Sequence, residues 1–180
     1  MRILISAQIH GHLEEFKTLL EHANYDSTND KLILLGDYLN KGNKQEELIE
    51  YLIELQGKGA IILCGKYEEK YIDALVNNDT IAEQFLTSEN NMYYHYLDNC
   101  ELRKKHLKFL ISLKDNYNTN RMFFSYEKQD IEGFQGYYCL GDIYNTDDFI
   151  EEGNSIGINF FQQSIGLMDI SSRKIYKIAI

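Results

Sequence analysis

Three short stretches carry side chains able to do chemistry, and each follows an apolar run. Gln8-Ile9-His10-Gly11 follows residues 2–6. Gly36-Asp37-Tyr38-Leu39-Asn40-Lys41-Gly42 follows residues 31–35. Gly65-Lys66-Tyr67-Glu68 follows residues 60–63. The imidazole of His10 and the carboxylate of Asp37 are donors that a divalent metal accepts. The ammonium groups of Lys41 and Lys66 can attract an anion near a helix start. The same residues can also be plain hydrogen-bonded loop residues, and His12, just beyond, reads as a helix cap or a solvent-facing side chain.

The flanking pattern says what must position these stretches. Residues 2–6, 31–35 and 60–63 are apolar runs that read as buried strands. Leu13, Phe16, Leu19, Leu20 and Ala23 recur at helical spacing after the first. Leu48, Ile49, Leu52, Ile53 and Leu55 do so after the second, where Asn43 and Glu46 resemble a capping box. Residues 67–76 read as a third helix. Strand–helix alternation of this kind predicts a parallel sheet with right-handed crossovers. Sites in such sheets form in the loops beyond the carboxyl ends of the strands, where the three stretches lie.

Residues 80–113 read as helical. The last third changes character, with strands expected over 121–125, 136–140, 155–159, 164–169 and 174–178, and a hairpin at 169–174. This order predicts an α/β, four-layer α/β/β/α sandwich: two mixed β-sheets flanked by helices, in one domain over residues 1–180.

Taken together, the three stretches resemble the motifs of the calcineurin-like metallophosphoesterase superfamily, which includes bacterial serine/threonine phosphatases and diadenosine tetraphosphatases. That superfamily carries D-x-H-G, G-D-x-x-D-R-G and G-N-H-E after its first three strands. The later stretches Phe123-Phe124-Ser125-Tyr126 and Leu140-Gly141-Asp142-Ile143 stand where the superfamily has a strand ending in a metal-binding His and then G-H-T. The family chemistry uses two metals about 3.5–4 Å apart to acidify a bridging water and clamp the phosphoryl oxygens.

Residue by residue, the resemblance implies a site that is largely dismantled. The leading metal-binding Asp is Gln8, and the following His is kept as His10. The bridging Asp is kept as Asp37. The Asp-Arg pair is Asn40-Lys41, so a bidentate phosphate clamp becomes a point charge. The metal-binding Asn is Lys66, and the proton-donating His is Tyr67, whose phenol has a reference pKa of about 10. The two later His ligands match Tyr126 and Asp142. Gly11, Gly36, Gly42, Gly65 and Glu68 survive as scaffold. An ion pair is expected between the Lys66 ammonium and Asp37, with Asp142 as a further partner, because a buried carboxylate without a cation is costly.

The resulting expectation is a catalytically inactive pseudo-phosphatase that acts by binding another protein, with no catalytic residues and no cofactor. Two alternatives stand beside it. One is a weak phosphoesterase using a single divalent metal such as manganese at His10, Asp37 and Gln8. The other is a non-hydrolytic pocket for an anion or nucleotide, built on Lys41 and Lys66.

Composition narrows the partners. The formal net charge is −10, which disfavours the phosphate backbone of nucleic acid and anionic membranes alike. The N-terminal run is too short for a secretion signal. Cys64, Cys100 and Cys139 lack zinc-site spacing and read as reduced thiols of a cytoplasmic protein. His22, His95 and His106 read as structural residues on helices. The aromatic stretch from Met92 to Tyr96 reads as core packing, with a protein-contact surface as its alternative. The acidic cluster Asp147, Asp148, Glu151 and Glu152 reads as a solvated helix end or loop.

Overall fold

The structure, a computed structural model, describes residues 1–89, 98–129, 131–142, 148–159 and 163–180. The stretch Met92–Tyr96, His95 within it, Ile143 and Asp147 lie outside the described residues.

The first half alternates as its periodicity requires: β1 (Arg2–Ser6), α1 (Leu13–His22), β2 (Asp30–Leu34), α2 (Gln45–Gly57), β3 (Ile61–Ile62) and α3 (Lys66–Val76). Helices α4 (Thr80–Glu89) and α5 (Cys100–Ser112) follow. Strands β4 (Asn116–Asn118), β5 (Met122–Ser125), β6 (Tyr137–Leu140), β7 (Asp148–Glu152), β8 (Ser155–Asn159), β9 (Ser164–Asp169) and β10 (Lys174–Ala179) complete the chain. Two mixed five-stranded sheets result, ordered β10-β9-β1-β2-β3 and β4-β5-β6-β8-β7. β1, β2 and β3 run parallel, with Leu4 opposite Leu32 and Leu34 opposite Ile62. β5, β6 and β8 are parallel in the second sheet.

Side-chain alternation along the strands sorts the core into layers. Leu4, Leu32, Leu34, Ile165 and Leu167 face outward from the first sheet and pack with helix residues such as Phe16, Leu20, Leu52, Tyr71 and Leu110. Ile5, Ile33 and Met168 face the other way and meet Phe124, Cys139, Ile156 and Ile158 of the second sheet. Phe123, Tyr138 and Leu140 form a smaller cluster on the second sheet's far side, joined by Phe134. A one-residue slip in any central strand would exchange these layers, so the register is strongly specified.

Two local expectations are corrected, and one strand was not anticipated. The acidic cluster, in its described part, is strand β7, paired antiparallel with β8 through the two-residue turn Gly153-Asn154. Gly153 has φ +59°, the left-handed conformation such a turn demands. The acids fit an edge strand, where charge discourages pairing with another chain. Asn116–Asn118, a polar triplet, forms β4 by pairing with β5. The Asn43–Glu46 capping box is not made: Lys44 holds the N-cap position of α2 without a side-chain bond. The neighbouring Gln45 turns inward instead.

Candidate functional site

The loops after β1, β2 and β3 meet at one end of the first sheet. The first two are stitched by backbone hydrogen bonds: Gln8 N–H to Gly36 O (2.9 Å), His10 N–H to Asp37 O (3.2 Å), Gly11 N–H to Tyr38 O (2.7 Å) and Gly42 N–H to His10 O (2.6 Å). Five non-glycine residues here adopt positive φ: Gln8, His10, Asp37, Asn40 and Lys41. Each such conformation costs of order 1 kcal/mol and persists only where surrounding bonds over-determine it. The loops are tight because Gly42 lies against Gly11; a Cβ on Gly42 would sit 2.4 Å from the Gly11 carbonyl carbon.

Two buried side chains hold the second loop. The Glu68 carboxylate, fully buried on the first turn of α3, accepts from the N–H groups of Asp37 (2.9 Å), Tyr38 (3.0 Å), Leu39 (3.1 Å) and Gly65 (3.0 Å). Burial, then repulsion from Asp37, push Glu68 up to about 7. The Gln45 amide accepts from Asn40 N–H (2.8 Å) and donates to Gly42 O (2.9 Å). Gln45 was not a candidate from the sequence. The available signal was a polar residue at the start of an apolar helix, one that the burial pattern later turned inward.

Asp37 is the centre of the arrangement and is 3% exposed. The Tyr126 phenol donates to its Oδ2 at 2.5 Å, and Tyr67 N–H donates to its Oδ1 at 3.2 Å. Tyr126 arrives from the end of β5. Its ring fits because Gly36 and Gly141 leave room: a Cβ on either would come 2.9 Å from Tyr126 Cδ2. Burial pushes Asp37 up to about 6, opposed by the Tyr126 and backbone hydrogen bonds and reinforced by the nearby Asp142 charge. Burial and the Asp37 charge push the Tyr126 phenol far above its ordinary value, so it remains a donor.

The anticipated Lys66 ion pair is absent. Lys66 is exposed and, among the described residues, makes no ion pair with Asp37 or Asp142 within 4.0 Å. The reason is its place as the first residue of α3. There the backbone N–H groups face the carboxylate, as helix N-termini do, while the side chain leaves toward solvent. A phenol and a helix start thus stand where the sequence led us to expect an ammonium.

The other sequence-derived positions are close by but serve different ends. Gln8 donates its side-chain amide to Gly141 O at 3.1 Å. His10 is buried, with Nδ1 3.1 Å from Leu39 O and its ring edge-on to Tyr67 at 5.6 Å. Burial lowers His10 to about 4, so the imidazole is neutral. The Asn40 side chain accepts from Lys41 N–H at 2.9 Å. Lys41 is exposed, yet its charge helps depress His10 and His12, which places it beside both. Asp142 is exposed, and its N–H bonds Tyr126 O at 2.9 Å. Lys66 instead lines a small cleft of about 180 Å³ with Cys64, Glu69, Asp115 and Tyr126. Lys41 is not part of that cleft.

A family profile described as calcineurin-like phosphoesterase matches residues 1–164. The chain belongs to the calcineurin-like phosphoesterase family. Over 75 residues it is 32% identical to a symmetrical bis(5'-nucleosyl)-tetraphosphatase of Glaesserella parasuis, covering 42% of this chain and 27% of that protein. Over 68 residues it is 37% identical to the same enzyme of Nitrosococcus oceani, covering 38% and 24%. The matched stretches therefore span about a quarter of those relatives. A solved structure proposed to be a diadenosine tetraphosphatase has a TM-score of 0.71 at 13% identity, covering 99% of this chain and 93% of that one. A protein serine/threonine phosphatase from Saccharomyces cerevisiae has a TM-score of 0.65 at 9% identity, covering 100% and 79%. These two likenesses show a shared fold.

Calcineurin-like phosphoesterases are metal-dependent, and the residues here fit a metal pair poorly. Among the described residues, no three His, Cys, Asp or Glu side chains gather in an arrangement able to hold an ion. Both Asp37 oxygens already accept hydrogen bonds. Gln8 is neutral, and Tyr126 donates where a ligand would have to accept. Among the described residues, no helix is long and apolar enough to cross a membrane.

Proposed function

We propose that this calcineurin-like phosphoesterase is non-hydrolytic and works by binding another protein. The observation that carries the reading is the Tyr126–Asp37 hydrogen bond at 2.5 Å. Hydrolysis in this chemistry needs a carboxylate that draws two cations together. Here the same carboxylate is satisfied by a neutral phenol and a backbone N–H. The loop scaffold is kept intact by Glu68 and Gln45, which favours a preserved surface over a decaying one.

A second reading has one observation in its favour. His10 is neutral, and its Nδ1 faces the Leu39 carbonyl, which leaves Nε2 in the state a single metal ion would use. One divalent ion at His10, Asp37 and Gln8 would support weak phosphoesterase activity.

One assay separates the two. Hydrolysis of para-nitrophenyl phosphate is followed with and without added manganese. The non-hydrolytic reading expects no turnover above the protein-free rate. Manganese-dependent turnover that disappears in His10→Ala and Asp37→Asn would replace it with the single-metal reading.

A further inference from the structure

A groove runs between α3 and α5, beside the loop that joins β3 to α3. Ile72, Leu110, Ile111, Leu113 and Cys64 supply its apolar lining. Ile111 is 57% exposed and stands at the groove's rim, beside the buried Leu110. The groove encloses about 410 Å³. Its charged lining is acidic throughout: Glu69, Asp73 and Asp115. Cys64, Glu69 and Asp115 also line the small cleft beside Tyr126, which adds Glu127 and Lys66. The two depressions therefore form one trough leading toward the Tyr126–Asp37 contact.

The acids act on one another. The Glu69 carboxyl is raised by burial first, then by repulsion from Asp115, Glu127 and Asp73, with Lys70 opposing weakly. Lys70 lies 3.9 Å from Asp73, and Lys66 is exposed at the far end. A cluster of like charges around an apolar floor is relieved by an incoming cation whose stem can also cover the floor.

We propose that this trough docks a basic amphipathic segment of a partner protein, its apolar side chains over Ile111 and Leu113 and its Lys or Arg groups meeting Glu69, Asp115 and Glu127. The proposal rests on the protein-binding reading above and names the surface and chemistry of the partner. Lys and Arg suit it because their aliphatic stems lie along apolar walls while their heads reach the rim.

The test uses the full chain and a synthetic amphipathic Lys/Leu peptide, followed by amide chemical shifts and by affinity. Shifts are expected at Ile72, Leu110, Ile111 and Leu113. Glu69→Lys with Asp115→Lys should weaken binding by about tenfold or more. Glu21→Lys with Glu47→Lys, an equal charge change elsewhere, should leave it within about twofold. A Ser for Leu version of the peptide should lose most affinity. Equal weakening by both charge pairs, or shifts confined to other surfaces, would overturn the proposal. Manganese-dependent hydrolysis would sink the non-hydrolytic reading instead, whatever the peptide does. A silent trough in a protein without hydrolysis would remove this surface and leave that reading intact.

Discussion

The Tyr126 phenol meets the Asp37 carboxylate across 89 residues of chain, and the contact joins the end of β5 in the second sheet to the loop after β2 in the first. It is an inter-sheet fastening between two buried side chains. Charge-assisted hydrogen bonds of this type are about twice as strong as neutral ones.

Tyr126→Phe removes the donor and little else. Asp37 would keep its buried position with one oxygen unbonded. The expected loss is about 1.5–3 kcal/mol of stability, read from urea unfolding midpoints. An unchanged midpoint would mean that the phenol is a bystander.

Gly42→Ala places a methyl group against the Gly11 backbone, where 2.4 Å is available. The loops would have to part and give up the Gly42 N–H to His10 O bond. Thermal unfolding should show a loss of about 2 kcal/mol or more. Full stability would show that the loops are looser than described.

Much of this arrangement was legible in the chain itself. The periodicity of residues 2–35 dictated a strand, a helix and a strand, and glycines at the turns marked the loops. β1, β8 and β9 fall on the residues the apolar runs indicated. β4 escaped because Asn116-Tyr117-Asn118 has turn-forming composition and becomes a strand only by pairing with β5. β7 escaped because acids on an edge strand resemble a solvated loop. The site was legible as a set of positions. Its wiring was not: the resemblance puts Lys66 at a metal-ligand position and so pairs it with Asp37, whereas Lys66 opens α3 with its side chain exposed and Tyr126, at the end of β5, bonds Asp37 instead.

His106 supplies a pH test far from the loops. Its ring is fully buried on α5, with Nε2 3.0 Å from Glu50 Oε1 on α2. Burial lowers its pKa, with Glu50 opposing. The unfolded chain takes up a proton as pH falls through 6.5, the ordinary value, while the folded chain resists it. Stability from this residue is therefore complete above that value and declines as pH falls below it. His106→Asn lacks the linkage. The stability gap between wild type and variant should narrow on going from about pH 7.5 to about pH 5.5. A gap that widens would mean that the imidazole is charged in the fold.

Reversion tests the assignment of positions. Gln8→Asp, Lys66→Asn, Tyr126→His and Asp142→His restore the ligand set that the resemblance implies around His10 and Asp37, and Tyr67→His restores its proton donor. The folded variant should bind manganese with micromolar or better affinity on titration, about 8 kcal/mol or more. A folded variant that ignores manganese would count against the register of the loops.

Isothermal titration of the wild-type protein with manganese addresses the central claim most directly. With Asp37 satisfied by Tyr126 and the start of α3, no heat of site-specific binding is predicted, and elemental analysis of the purified protein should find no stoichiometric metal. Two ions bound per chain, lost together in Asp37→Asn, would contradict it.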